Sequence, residues 1–363
     1  MNHYTSLSHD VQKAFAADLQ SKVTQYFSER NGNKKGNLLL LFKGILAFLL
    51  FLLPYYFFIR YQCSFPVFLL LYTLHCVGQL FVAFHLAHDA NHQALSSHKW
   101  VSKLGYFTFD LVGVNSYIWR IMHTRAHHSY TNIPEKDQSI LGRGLFRFSP
   151  TDPLHPFHRY QHWYVFLFYG LVSLDSVFAR DFKFLFAKAD YNAPMQKLKH
   201  PIKEYLFLGV HKLFYVLYAF VIPFLYVELP AWQLITAFLL GHIMLGSIMA
   251  FAFQVTHTVE STYYPNDGRD FQNYAVHTLA TTADYAPDNY LLTWVLGGLN
   301  LHVIHHIVPN VSHIHYFALT KILRTTAKEH NIPYRSNATF YEAILDHLRF
   351  LKTMGTDTFR NPV

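Results

Sequence analysis

Three short segments concentrate the residues of this sequence that are most able to do chemistry. The chain has 25 histidines, and the segments HDANH at 88–92, HTRAHH at 123–128 and HVIHH at 302–306 hold eight of them. Histidine is the commonest metal ligand in proteins. Histidines at i and i+4 lie on one face of a helix, whereas adjacent residues point about 100° apart. The spacing therefore predicts two metal ions, with adjacent histidines binding different ions and with His123 and His127 on a shared face.

The donor set narrows the choice of metal. Imidazole suits Fe, Zn, Cu or Ni, and eight histidines exceed what one tetrahedral zinc accepts. The sequence contains neither the Glu-x-x-His pairs of soluble di-iron bundles nor a CxxC zinc motif. Its two cysteines, Cys63 and Cys76, lie in or beside apolar stretches and are interpreted as inert thiols. These observations favour non-haem iron and oxygen chemistry.

Apolar helices must position these histidines. Hydrophobic residues make up 52% of the chain and charged residues 14%, well below the roughly 25% charged residues of a soluble domain. A helix of about 20 apolar residues crosses the hydrocarbon core of a membrane. The stretches of that length are 37–59, 65–86, 205–227 and 232–256. We predict an all-α integral membrane protein with four transmembrane helices, with segments 104–119 and 162–178 in the interface.

Charge asymmetry orients these helices. The stretch from His88 through Lys203 carries fourteen Lys or Arg, whereas the short connection RYQCS carries one and the turn at Glu228 and Pro230 carries none. The positive-inside rule then places the termini and all three histidine clusters in the cytoplasm, in a helical cap. The formal charge of +8 is dispersed, which favours anionic lipid headgroups or an anionic substrate over nucleic acid.

The N-terminal segment 1–35 differs from the rest of the chain. Apolar residues recur every four positions, which predicts an amphipathic helix over 10–30 that lies on the membrane or packs on the protein. The stripe consists of Val11, Phe15, Leu19, Val23 and Phe27. The segment lacks the pattern of a cleavable signal peptide. We expect residues 1–363 to form a single domain.

The three clusters and their surroundings resemble the membrane fatty-acid desaturase family. HDANH, HTRAHH and HVIHH correspond to its three histidine boxes in order, and the likeness runs from about residue 30 to 350. Further matching stretches are TNIPEKD, FRFSP, TTADYA and GGLNLHVIHHIVPNVSHIHY. The likeness is closest to bacterial linoleoyl-CoA desaturase-like proteins and front-end desaturases. It implies an oxygen-dependent oxidoreductase with two irons that introduces a cis double bond into an acyl chain.

The resemblance also implies the ligands and the partners. The eight box ligands would be His88, His92, His123, His127, His128, His302, His305 and His306, and His257 after the fourth span would be a ninth. Whether His85 also binds metal is left open. No fused cytochrome b5 domain is expected, because the HPGG haem signature is missing. Electrons would then come from a separate carrier of the ferredoxin or cytochrome b5 type.

Two departures from the family pattern affect regioselectivity. Front-end desaturases usually carry Gln where this chain has His302, and often Glu where it has Ile304. Histidine binds metal at least as well as glutamine, so these departures put front-end regioselectivity in doubt and leave the activity itself intact.

Substrate contacts and hydrogen-bond partners of the ligands are expected near the boxes. Tyr117, Trp119, Trp294 and Leu299 are candidates for the wall of an acyl tunnel, and Arg120 is a candidate for binding the phosphate of an acyl-CoA; a phospholipid-linked acyl chain is the other candidate substrate. Each ligating imidazole needs a partner on its second nitrogen. The candidate partners are Asp89, Asn115, Asn132, Asp137, Asp284 and Asn300. His313 and His315, which follow the third cluster, are further candidates for substrate contact or ligand support.

Two other functions fit some of these features. A di-iron membrane hydroxylase of alkyl, sterol or carotenoid substrates shares the histidine boxes, since both reactions begin with hydrogen abstraction. A metal transporter would place its site near the middle of the bilayer, whereas these histidines lie beyond the ends of the spans. We adopt the interpretation that the protein is a desaturase located in a bacterial inner membrane.

Overall fold

Helices dominate the computed structural model, which describes residues 4, 6–186, 198–265 and 271–361. The helices are α1 (His9–Ser28), α2 (Leu38–Arg60), α3 (Phe65–Asn91), α4 (Lys99–Leu111), α5 (Ser116–Trp119 continued by Arg120–His127), α6 (Gln161–Gly170), α7 (Val172–Asp175, Ser176–Arg180 and Asp181–Phe186 in succession), α8 (Ile202–Tyr226), α9 (Ala231–His257), α10 (Tyr274–Thr281), α11 (Tyr290–Val295), α12 (His302–Ile307), α13 (Tyr316–Glu329) and α14 (Phe340–Gly355). Short 3₁₀ turns lie at Gln138–Ile140, Pro156–Tyr160 and His313–His315. Two-residue strands β1 (Asp284–Tyr285) and β2 (Ser336–Asn337) pair in parallel.

Four helices of the described residues are long and apolar enough to cross a membrane. They are α2, α3, α8 and α9, with 23, 27, 25 and 27 residues, which confirms the four predicted spans. Helix α3 continues to Asn91 instead of ending near residue 86, so the first histidine cluster lies on the span helix itself. Large apolar side chains on α2, such as Leu41 and Phe42, are 58% exposed, as expected for a surface that contacts lipid.

Wider π turns interrupt several of these helices. They occupy Val82–Ala87 in α3, Arg120–His127 in α5, Ser176–Arg180 in α7 and Leu217–Val221 in α8. A π turn places residues i and i+5 above one another, instead of i and i+4, and such turns are frequent at functional sites. Two of them adjoin or contain histidine clusters, so they change which histidines share a face.

The described residues divide into two compact units. The span unit comprises Gly36–Ile121 and Phe166–Ala250, and the histidine unit comprises Met1–Lys35, Met122–Val165 and Phe251–Val363. In the span unit α2 and α3 approach closely at Gly78, where an added Cβ would lie 2.3 Å from the backbone nitrogen of Phe51. The expectation of one domain stays a prediction.

Helix α1 belongs to the core of the histidine unit. The Ser8 side chain caps the helix by accepting a hydrogen bond from the Val11 amide at 3.4 Å. Four residues of its apolar stripe are buried in one cluster with residues of α10, α12 and α13, namely Phe15, Leu19, Val23 and Phe27, whereas Val11 is half-buried. The sequence predicted that this helix either lies on the membrane or packs on the protein. In the structure it packs on the protein.

This packing predicts a large loss of stability when the stripe is truncated. Phe15 is fully buried, so Phe15→Ala should lower the free energy of unfolding by about 3–5 kcal/mol. Lys13→Ala, on the exposed side of the same helix, should change it by less than about 0.5 kcal/mol. Thermal unfolding of both variants in detergent measures the difference, and equal midpoints would contradict a core role for α1.

Candidate metal centre

Four buried imidazoles converge within the histidine unit. His127 comes from α5, His257 from the last residue of α9, and His302 and His306 from α12. One ring nitrogen from each lies within 4.8 Å of those of the other three, and all four residues are buried. His302 and His306 reach the group together because they are one α-helical turn apart. This arrangement suits a metal ion bound by four nitrogens.

The second ring nitrogens of three of these histidines face oxygen atoms. His127 Nδ1 lies 3.0 Å from both Asp137 oxygens, and His257 Nδ1 lies 3.4 Å from the Thr281 carbonyl. Because these oxygens only accept hydrogen bonds, Nδ1 must carry the proton in both rings. Each Nε2 then keeps its lone pair for a metal.

His306 is oriented in the same way. Its Nδ1 lies 3.3 Å from Thr131 Oγ1, and the Thr131 hydroxyl donates its own proton to the His127 carbonyl at 2.9 Å. The hydroxyl therefore accepts from His306. Among the described residues, the buried Nε2 atoms of His257 and His306 have no hydrogen-bond partner. A buried nitrogen without a partner is costly, and a metal ion would satisfy both atoms.

Asp137 fixes the orientation of His127 in this group. It is fully buried, and its oxygens also accept from the backbone amides of Asn132 at 2.9 Å and Ser139 at 2.8 Å. Burial alone would raise the pKa of Asp137, but its interactions with His127 and its hydrogen bonds bring the pKa below the usual value. The side chain is thus a carboxylate, as the role of acceptor for His127 requires.

A second set of imidazole nitrogens meets nearby in the same unit. His128 Nε2 lies 3.2 Å from His123 Nε2 and 3.1 Å from His305 Nε2. Two nitrogens bound to one metal at about 2.1 Å lie roughly 3 Å apart when their bonds are perpendicular. His305 Nδ1 is held at 3.0 Å by the hydroxyl of Tyr316. The geometry therefore fits three ligands of a second metal.

The π turn in α5 changes the predicted pairing. The α-helical spacing put His123 with His127, whereas the structure brings His123 to His128, because the His128 amide donates to the His123 carbonyl five residues earlier. His127 joins the other group. The prediction that adjacent histidines serve different metals fits the positions of His127 and His128.

The first histidine cluster lies in the span unit. His88 lies in the last turn of α3 and His92 directly follows the helix; their ring centroids are 5.0 Å apart, and both residues are buried. His85 is fully buried in the preceding π turn, where its ring stacks on Phe81 at 4.7 Å. Among the described residues His85 belongs to neither group of convergent histidines.

Caps fix where the helices that carry the predicted ligands begin. The Asp284 carboxyl accepts from the Val303 amide at 2.8 Å at the start of α12; burial raises the pKa of Asp284 to about 7. The Asn115 side chain accepts from the Ile118 amide at 2.9 Å at the start of α5. Thus two of the predicted support residues cap helix ends and do not contact the rings of the predicted ligands, although the Asn115 side-chain amide also lies 3.0 Å from His211 Nε2.

Of the three remaining support candidates, Asp89 is buried on α3, and Asn132 and Asn300 contact backbone carbonyls. Asn132 donates its side-chain amide to the backbone carbonyl of His257 at 2.9 Å, and Asn300 donates to the Tyr285 carbonyl at 3.1 Å. Thr131, Thr281 and Tyr316 contact the rings of predicted ligands and were not themselves predicted. Threonines and tyrosines on helices are common, and their spacing carries no signal for such a role.

The predicted substrate residues are dispersed over both units. In the span unit the Tyr117 hydroxyl contacts His200 Nδ1 at 3.0 Å, Trp119 packs on Phe109 with ring centroids 5.2 Å apart, and Arg120 stacks 3.8 Å above the Tyr106 ring. In the histidine unit, Leu299 is buried and Trp294 is half-buried. Their role in substrate binding stays a prediction.

A narrow cavity in the span unit is lined by residues that were not predicted to form the wall of an acyl tunnel. Its apolar lining includes Leu80, Val112, Val177, Leu245 and Met249. At one side lie Gln79, Ser173, Tyr215 and His242, which are joined by hydrogen bonds of 2.8–3.4 Å. Polar residues inside apolar spans are costly and usually functional. Gln79 and His242, which lie in two of the spans, are therefore the residues of the sequence that could have indicated this cavity.

Comparison with known proteins agrees with this geometry. A family model described as "Fatty acid desaturase" matches residues 62–338. The chain is 32% identical, over 77% of its length, to an acyl-lipid (8-3)-desaturase of Physcomitrium patens, and the match covers 58% of that protein. It is 29% identical, over 95% of its length, to the sn-1 linoleoyl-lipid 6-desaturase of Synechocystis sp., with 96% of that protein covered. A protein of the same name from Arthrospira platensis is 31% identical over 76% of the chain and 74% of its own length.

These matches confirm the resemblance that the histidine boxes carried. The family match covers most of the chain and includes all three boxes and His257. The relatives are named as desaturases of lipid-linked acyl chains. The chain therefore belongs to the fatty acid desaturase family, a family of oxidoreductases, and its function is that of a fatty-acyl desaturase.

Proposed function

We propose that this desaturase uses molecular oxygen and two irons bound by the nine predicted histidines. The observation that carries the proposal is the convergence of His127, His257, His302 and His306, since three of these rings have Nδ1 held by an oxygen atom. His123, His128 and His305 would contribute to the second iron. His88 and His92 complete the ligand set that the family resemblance implies.

Iron is favoured by the donor set together with the family. Imidazole binds several transition metals, and the support residues do not distinguish among them. Nine histidines for two metals leave room for an oxygen ligand. When bound, the irons would supply the oxidation that removes hydrogen from two neighbouring methylenes. The chain itself fixes the tautomers through Asp137, Thr281 and Thr131 and keeps the rings in a water-poor interior.

The acyl chain of a membrane lipid is the substrate that the relatives' names favour. We place its methyl end in the cavity of the span unit. That cavity is lined by Ala83 of α3, which precedes His88 by five residues or about 8 Å of helix. Apolar side chains form most of the wall, and the polar group around His242 and Tyr215 would close the end. If the substrate were an acyl-CoA, the methyl end of its acyl chain would occupy the same cavity.

Orientation follows from charge. The fourteen Lys and Arg of the middle segment support cytoplasmic termini and histidines under the positive-inside rule. A cytoplasmic site is accessible to a soluble carrier of the ferredoxin or cytochrome b5 type. In a bacterial inner membrane the histidines would face the cytoplasm, and a soluble electron carrier could reach them there.

Narrowing the cavity should change the acyl chains that are accepted. Leu245→Phe enlarges a buried lining residue, so the longest substrates should be disfavoured by about 10- to 200-fold per methylene that no longer fits. Leu240→Phe, on the same helix but 46% exposed, is the matched control. Competition between acyl chains of different length measures the shift; an unchanged preference in Leu245→Phe would remove the cavity from the substrate path.

Product analysis tests the function itself. The protein is expressed in a bacterial host together with an electron donor, and the host is fed oleate and linoleate. A new fatty-acid methyl ester two mass units lighter than its precursor supports desaturation, and derivatisation locates the double bond. A product sixteen mass units heavier would instead identify a hydroxylase. No product from iron-loaded protein with oxygen and reductant would contradict the proposal.

A further inference from the structure

A chain of side-chain contacts leads from a proposed iron ligand to the surface of the histidine unit. His305 Nδ1 lies 3.0 Å from the hydroxyl of Tyr316, which is buried. The neighbouring residue, His315, has its Nδ1 3.2 Å from the hydroxyl of Tyr26 on α1. Tyr26 is only half-buried. Hydrogen bonds and covalent bonds thus connect the surface with His305 without a break.

The outer end of this chain opens into a groove between α1 and α13. Tyr26 lines the groove together with Arg30 of α1 and Lys321 and Thr325 of α13. The Arg30 guanidinium lies 4.1 Å above the Tyr26 ring, so the aromatic ring sits under a positive charge. The Phe27 ring packs edge-on against His315 at 5.1 Å, which holds the inner part of the chain in place.

The two sides of the groove are positively charged overall. The groove lining carries three cations, Lys22, Arg30 and Lys321, against two anions, and the segments 9–35 and 316–329 around it carry eight Lys or Arg against four Asp or Glu. The apolar face of α1 is buried in the core of the unit, so this helix has no apolar face left to insert into lipid. Glu29 and Glu329 also line the groove; charges of both signs suit a protein surface better than a uniformly anionic lipid surface.

We propose that this groove is the docking site of the electron donor, an acidic one-electron carrier protein, and that Tyr26, His315 and Tyr316 form the path to His305. The inference rests on the proposed function. Reduction of oxygen to two waters takes four electrons and four protons. Breaking two C–H bonds of the substrate to form one double bond supplies two of each. The carrier delivers the other two electrons in successive dockings, and water supplies the other two protons.

Binding measurements test the docking site separately from turnover. Iron-loaded protein in nanodiscs of neutral phosphatidylcholine is titrated with a plant-type [2Fe–2S] ferredoxin. Arg30→Glu and Lys321→Glu should each raise Kd about 10-fold, or about 1.4 kcal/mol, and added salt should weaken wild-type binding. Lys352→Glu makes the same charge change at an exposed position of α14 outside the groove, and its Kd should change less than about 2-fold.

Opposite results would overturn the docking proposal. A Kd that rises equally in all three variants would show a general charge effect. A Kd unchanged in the groove variants, with loss of binding to anionic vesicles, would identify the groove as a lipid-binding surface.

Electron transfer tests the path. Tyr26→Phe and His315→Phe keep aromatic rings but remove the hydrogen bond between the two side chains. Each should slow oxidation of bound ferredoxin about 10-fold at unchanged Kd, and turnover of Tyr26→Phe with dithionite and a small mediator should stay at the wild-type level. Unchanged ferredoxin oxidation in both variants would refute the path. Wild-type protein that desaturates nothing with dithionite would refute the proposed function instead, while the Kd values would still report on docking.

Discussion

Replacing His306 with alanine is expected to remove one iron and stop turnover. His306 is fully buried, and its Nε2 has no hydrogen-bond partner among the described residues. Loss of a residue that merely supports a ligand costs about 10- to 100-fold in metal affinity or activity, so loss of a ligand should cost more than about 100-fold. Iron content by mass spectrometry should fall to about one ion per chain, and desaturated product should disappear.

A buried histidine outside both groups provides the control. His347 is fully buried in the same unit, and its Nδ1 lies 2.6 Å from the Thr258 carbonyl. His347→Ala removes the same side chain and leaves a similar cavity, so it should destabilise the protein but retain both irons. Equal iron contents in the two variants would mean that the His306 variant acts through stability alone.

Asp137→Asn should have the second largest effect. The carboxylate accepts from His127 Nδ1, and an asparagine would present either a weaker acceptor or a donor to that nitrogen. In the second case Nε2 would carry the proton and could not bind metal. We expect iron affinity and activity to fall about 10- to 100-fold, measured by titration of the metal-free protein with Fe²⁺.

Asp152→Asn separates this effect from a general loss of charge. Asp152 belongs to the same unit, and its carboxylate accepts from the Ser149 amide at 3.1 Å, away from the convergent histidines. Its iron affinity should stay near that of the wild type. If Asp137→Asn also bound iron normally, the tautomer of His127 would have to be set by another group.

Local patterns determined several features directly. The apolar stretches defined four spans, because a helix that faces lipid needs about 20 apolar residues whatever its neighbours are. The spacing of four along α1 predicted an apolar stripe on this helix, because residues at that spacing lie on one face, and one face of the helix packs on the core. The three histidine boxes were visible because their histidines lie within a few residues of one another.

Tertiary structure decided the partners of those residues. The partner of His127 is Asp137, ten residues away, and the partner of His306 is Thr131, 175 residues away. No periodicity links such positions. The choice of His128 over His127 as the neighbour of His123 depends on a π turn, which inserts one residue into a helical turn and rotates every later side chain by about 100°. Sequence spacing alone assumes a regular helix, so the sequence predicted which histidines are candidate ligands, whereas the fold decided how these histidines are grouped.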